Sequence, residues 1–145
     1  MKKIFLLLAI TISTLSAFAG EKEIDPKVLE AFKNEFAAAK EVSWTATADF
    51  YKAEFVFNHQ HVSAFYSIEG ELMGLSRYIT SFDLPLNLQA GLKKSYSDFW
   101  ISDLVEVTKS NSTTYYITLD SADTQIVLKA GSGETWNVYK KIKKA

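Results

Sequence analysis

His59 and His61 are the only two histidines in the chain, and they stand two positions apart in the string Asn58-His59-Gln60-His61. On a strand, residues i and i+2 point to the same face, so two such imidazoles could share a Zn²⁺ or Cu²⁺ ion. A structural site wants about four ligands, and Glu54 and Asn58 are the only others nearby to suggest. The turn signal of Asn58-His59-Gln60 explains the pair without a metal. His59 and His61 are therefore read first as polar residues at a hairpin tip, and as metal candidates second. The absence of cysteine removes thiol catalysis and thiolate metal sites. No Gly-x-Ser-x-Gly elbow is present. The six glycines are scattered, and Gly131-Ser132-Gly133 is too short and precedes a strand, the wrong context for a phosphate loop. No spacing selects a pair of carboxylates. A catalytic site needs such constellations, so the expectation is a protein that is not an enzyme and takes no cofactor.

The elements that could position any site begin after a leader. Met1, Lys2 and Lys3 form a positive start, Ile4 to Ile12 an apolar run, and Ala17-Phe18-Ala19 a small-x-small site. This is the pattern of a secretory signal peptide over residues 1–19, cleaved after Ala19. The run is short for a membrane span, which needs about 20 apolar residues. The formal net charge of −1 becomes −3 once the two leader lysines are gone. That weak acidity argues against nucleic acid as a partner. The expected location is periplasmic or secreted, with no membrane attachment after cleavage.

Residues 20–145 fit one domain with a real core. Asp25-Pro26 is a helix start. Val28, Phe32, Phe36 and Ala39 recur at three- and four-residue steps, predicting a helix from about Pro26 to Ala39. Alternating stretches around Val42–Ala48, Tyr51–Asn58 and Val62–Ile68 predict strands, followed by a fourth from about Glu71 to Ile79. A second helix starts at Asp83-Leu84-Pro85, with Leu88, Leu92, Tyr96 and Phe99 as its stripe. Strands follow at about Trp100–Lys109, Thr113–Asp120, Thr124–Ala130 and Glu134–Ile142. The two helical stripes align at a spacing of 60, Val28 with Leu88 and Phe32 with Leu92. The expected fold is α+β, with two helix-plus-four-strand repeats (about 25–80 and 83–144) forming one antiparallel sheet with both helices packed on one face.

Several residues carry a family likeness. Val28, Phe32 and Phe36, then Val42 and Trp44, then Tyr51, Ala53 and Phe55, then Ala64, Tyr66 and Glu69-Gly70 follow one another behind a leader. In this order the chain resembles the PepSY-like, beta-lactamase-inhibitor-like periplasmic proteins of Bacteroidota. Leu84-Pro85, Leu92 and Tyr96 are similar to the second half of the same family. The resemblance covers nearly all of residues 20–145, and it implies an antiparallel sheet with two helices on one face. Most members have no assigned activity, and the inhibitor comparison is one of fold, which does not carry function. The chain departs from the family at the hairpin after Phe57, where Asn58-His59 stands in place of Asn-Gly.

Trp44, Phe55, Phe57 and Tyr66 read as core facing the helices. Val56, Phe65, Leu104, Tyr116, Val127 and Tyr139 fall on the other parity of their strands. If the helices cover one face, these six form an apolar, aromatic surface open to water, the candidate partner-binding surface. A β-bulge would shift this parity. The function expected is an exported, non-enzymatic module that binds an unknown protein or peptide, inhibitor-like in its use of the uncovered face. The alternative is a small-ligand or metal-binding periplasmic carrier. An aromatic face could also self-associate, so both monomer and homodimer are open.

Overall fold

The structure, a computed structural model, describes residues 23–145. The expected leader lies outside the described residues. The chain then runs α1 (Pro26–Glu35), β1 (Lys40–Ala46), β2 (Phe50–Phe57), β3 (Gln60–Ser67), β4 (Leu72–Tyr78), a 3₁₀ turn (Ser81–Asp83), α2 (Leu86–Ser95), β5 (Trp100–Lys109), β6 (Ser112–Asp120), β7 (Thr124–Gly131) and β8 (Asn137–Lys143). Each strand pairs antiparallel with the next, giving one eight-stranded sheet in the order β1 to β8.

Local chemistry sets these boundaries. The Asp25 carboxylate accepts the Lys27 backbone N–H at 2.9 Å and caps α1, with Pro26 in its first turn. The helix stops at Glu35, short of the predicted Ala39, and the Phe36 N–H still donates to the Phe32 carbonyl. Two hairpins close on two-residue turns whose residues both have positive φ: Asn58 and His59 (50° and 64°), and Ser110 and Asn111 (50° and 63°). This left-handed pairing matches the strand twist, and Asn adopts it at low cost. Before α2, the Asp83 carboxylate accepts both the N–H and the hydroxyl of Thr80 at 2.8 Å. Gly91 of α2 then lets an aromatic lie close. A Cβ there would meet Trp136 Cδ1 at 3.2 Å, and the Trp136 indole N–H donates to the Leu88 carbonyl at 2.9 Å.

The core forms two clusters. Val28 and Phe32 of α1 pack with Tyr51, Ala53, Phe55, Ala64 and Tyr66, and the half-buried Trp44 and Phe57 join them. Leu88 of α2 packs with Leu104, Tyr115, Ile117, Leu119, Ile126 and Leu128. Phe32 has the rings of Trp44 and Phe55 edge-on at 5.2 and 4.9 Å, the offset geometry aromatic pairs prefer.

The expected two helix-plus-four-strand repeats, with both helices packed on one face, are corrected by this architecture. The fold is α+β, but its unit is one continuous eight-stranded meander carrying two ten-residue helices. The halves are unequal: β5 and β6 have 10 and 9 residues where β1 and β2 have 7 and 8. α1 is capped by an aspartate side chain, whereas α2 follows a 3₁₀ turn and begins after Pro85 with no side-chain cap. Each helix packs in its own cluster, α1 with side chains of β1 to β3 and α2 with those of β5 to β7. Where β4 meets β5, only Leu75–Tyr78 pair with Val105–Thr108, and Arg77 crosses to Glu106 with contacts of 2.7 and 3.4 Å. The 60-residue alignment of the stripes reflected two helices of equal length, and such stripes carry no information about how strands join.

Candidate functional site

Strand alternation puts the buried side chains on one side of each strand and leaves the other side of the sheet open to water. Register traces this open face from strand to strand. Lys52 lies opposite Phe65, and Phe65 opposite Gly74. Val56 lies opposite His61. Tyr78 pairs with Val105, Val105 with Tyr116, and Tyr116 with Lys129. Val127 pairs with Lys140.

Five of the six residues predicted for this surface are on it. Val56, Phe65, Tyr116 and Val127 are half-buried there, and Tyr139 is exposed. Tyr116 and Tyr139 touch edge-on with ring centroids 5.5 Å apart, and Val127 stands one register step away. Phe65 lies in the other half of the sheet and pairs with Phe50 at 5.9 Å. The sixth residue, Leu104, is corrected: it is 4 % exposed and belongs to the α2 core. A β-bulge causes this. β6 pairs Leu119 with Ile101 and Thr118 with Asp103, so Ser102 is an extra residue in β5. The bulge flips the parity of everything after it, sending Leu104 inward and Val105 outward.

The open face also includes Trp100, which lies before the bulge and was not among the six predicted residues. Trp100 pairs with Asp120 and is 55 % exposed. Phe50 and Tyr78 join it, since both sit at ends of their strands where a parity count has little purchase. A groove of about 480 Å³ crosses β2 to β5, lined among others by Lys52, His61, Phe65, Ser76, Tyr78 and Val105.

Charges are tied to these rings. The Lys129 ammonium lies 5.7 Å from the Tyr116 ring and 5.9 Å from that of Tyr139. The Lys144 ammonium lies 5.3 Å from Trp100, contacts the Asp120 carboxylate at 2.9 Å and donates to the Ser121 carbonyl at 2.8 Å. The Ser102 hydroxyl and the Lys144 ammonium keep the Asp120 carboxyl below the usual carboxylate range. Away from this face, burial and then the neighbouring Glu35 push the Tyr66 phenol well above its ordinary value, so it stays protonated.

The histidines do not converge. His59 occupies the turn with φ 64°, outside the strand geometry that would align it with His61, which lies in β3 facing Val56. Among the described residues, no three His, Asp or Glu side chains come together in a way that could hold a metal ion.

The arrangement defines a class: an antiparallel meander carrying two short helices, with an aromatic, lysine-bearing face left open. Solved structures share this fold. A BLIP-like protein from Bacteroides fragilis superposes with a TM-score of 0.72 at 15 % identity, over 86 % of this chain and 89 % of its own. A DUF2874 family protein from Bacteroides uniformis gives 0.72 at 14 % identity, over 82 % and 88 %. A protein assigned to the periplasm of Bacteroides eggerthii gives 0.73 at 16 %, over 84 % and 90 %. At these identities the likeness is one of fold, and it agrees with the BLIP-like part of the resemblance read from the sequence. No family model matches the sequence, and no curated protein does. No helix among the described residues is long and apolar enough to cross a membrane.

Proposed function

We propose that this chain is an exported binding module, without enzymatic activity, that receives a partner protein on the open face of its sheet. One observation carries the reading: aromatic side chains are spread across the sheet face opposite its buried side chains. Tyr78, Tyr139 and Trp100 are 66 %, 63 % and 55 % exposed there. Large exposed aromatics are the favoured anchors of protein interfaces, and a contiguous apolar patch is uncommon on a surface with no partner. The fold shared with BLIP-like proteins and with a protein assigned to the periplasm supports export and an inhibitor-like manner of binding. The PepSY-like label belongs to the same proposal and rests on the sequence resemblance alone.

The alternative, a small-ligand carrier, has the groove beside Phe65 and Tyr78 in its favour. A capture experiment separates the two. The exported chain is immobilised and offered periplasmic extract, with a Phe65→Ser, Tyr116→Ser double variant alongside. A protein retained by the first and lost from the second is the expected result. Equal retention by both sinks the open-face reading. No retention, with a thermal shift on adding small molecules, favours the carrier.

A further inference from the structure

We propose that the β6–β8 end of the open face binds an acidic peptide segment that also carries an apolar side chain, a reading that rests on the open-face function above. Lys129 carries the argument. It lies on β7, an interior strand paired on both sides, with its ammonium near two tyrosine rings. Lysines on an edge strand commonly guard it against pairing with other chains, which accounts for Lys141 and Lys143 of β8. That account does not reach Lys129.

Nothing nearby neutralises it. Neither Lys129 nor Lys140 has an ion-pair partner among the described residues. The neighbouring acids are engaged elsewhere. Asp120 holds Lys144, Asp123 accepts from the Ser121 and Thr124 hydroxyls, and Glu134 accepts the Gly131 N–H at 3.0 Å. Asp103 faces the same way as Lys140 but stands three strands off, at roughly 14 Å by the strand spacing. β8 contributes Lys140, Lys141 and Lys143 and no acid.

The result is a pair of unneutralised ammonium groups beside an aromatic shelf. The Tyr116 and Tyr139 rings limit where the Lys129 ammonium can go, which lowers the entropy lost when a carboxylate arrives. Tyr139, 63 % exposed, offers its ring to an apolar neighbour of that carboxylate. An extended segment with an acid and an apolar residue two positions apart matches both features, because residues i and i+2 of a strand point to the same face. An anionic membrane would meet the lysines but would leave the demand for an apolar anchor beside each acid unexplained.

The test uses fluorescence anisotropy with a short labelled peptide in which aspartate and phenylalanine stand two positions apart with serine between them. Controls replace its aspartates with asparagine or with lysine, and vesicles containing phosphatidylglycerol form a separate arm. Lys129→Glu should weaken binding of the acidic peptide at least about tenfold, with affinity also falling as salt rises. The same variant should gain affinity for the lysine peptide, an effect that general misfolding would not produce. Equal binding of the aspartate and asparagine peptides would overturn the acidic specificity and leave the open-face function standing. No measurable binding of the acidic peptide, or binding to the vesicles alone, would also overturn it. Loss of an independently captured partner in the Phe65→Ser, Tyr116→Ser variant but not in Lys129→Glu would place the fault in this proposal alone.

Discussion

Replacing Leu104 by alanine tests the bulge at Ser102, which decides what faces the partner. Leu104 is 4 % exposed and packs in the α2 cluster with Leu88, Ile117 and Leu128. Truncating it removes the buried apolar atoms and leaves a cavity that Ile117 and Leu128, both fully buried, are poorly placed to fill. Losses of this kind cost about 2–5 kcal/mol. Val105, one residue on, points to the open face and is half-buried. Val105→Ala removes two methyl groups, each worth about 0.8 kcal/mol if fully buried, and partial exposure brings the total to about 1 kcal/mol or less. Urea unfolding measures both. With a slope of about 1–3 kcal/mol/M, Leu104→Ala should lower the midpoint by roughly 1 M or more at unchanged slope, and Val105→Ala by much less. The opposite ranking would put Leu104 on the open face and refute the parity shift.

Other consequences follow from the same geometry. Gly91→Ala should destabilise despite the gain of about 1 kcal/mol in helix propensity. The new Cβ would meet Trp136 at 3.2 Å, and Trp136 cannot move away without losing its bond to the Leu88 carbonyl. A lower melting temperature with altered tryptophan emission is expected, and a rise would contradict the packing. The carboxyl of Asp120 is held below its ordinary range, so its contribution to stability is present above the unfolded value, about 3.9. It is lost as pH falls through the lower folded value. Asp120→Asn should therefore flatten the acid limb of a stability–pH profile, and an unchanged limb would show that Asp120 is not coupled to folding. Arg77→Ala should weaken the narrow β4–β5 seam and speed amide exchange at Tyr78 and Val105 more than at Ile117, whereas uniform exchange would count against a weak seam.

Much of the fold was legible because it depends on local periodicity. Stripes of Val28 and Phe32, and of Leu88 and Leu92, marked both helices, and β5 begins and ends where alternation placed it. The core positions of Phe55 and Tyr66 followed from period two. What failed was non-local or lay between periods. The stripes could not show how β4 joins β5 or that the two halves differ in strand length. The parity of β5 was lost at Ser102, because an extra residue leaves no mark in composition and flips each residue after it. This turned Leu104 into a false surface residue, whereas Trp100, before the bulge, keeps the outward parity that alternation gives it. Lys129 went unnoticed because a lone lysine on a strand looks like a solvated side chain until Tyr116 and Tyr139 are placed beside it. The His59–His61 spacing suggested a shared ligand face only while both were taken as strand residues, and the left-handed turn at Asn58-His59 removes that premise.

The open face, and not the exposed side of the helices, takes the partner. The most direct measurement is the dissociation constant of the captured partner for three forms of the chain: the wild type, Phe65→Ser with Tyr116→Ser, and Leu29→Ser, which alters an exposed apolar residue on α1. Weakening of about a hundredfold or more is expected for the double variant, in which two interface anchors are removed, and no change for Leu29→Ser. Loss of affinity with Leu29→Ser, and none with the double variant, would move the binding surface to α1 and away from the open face.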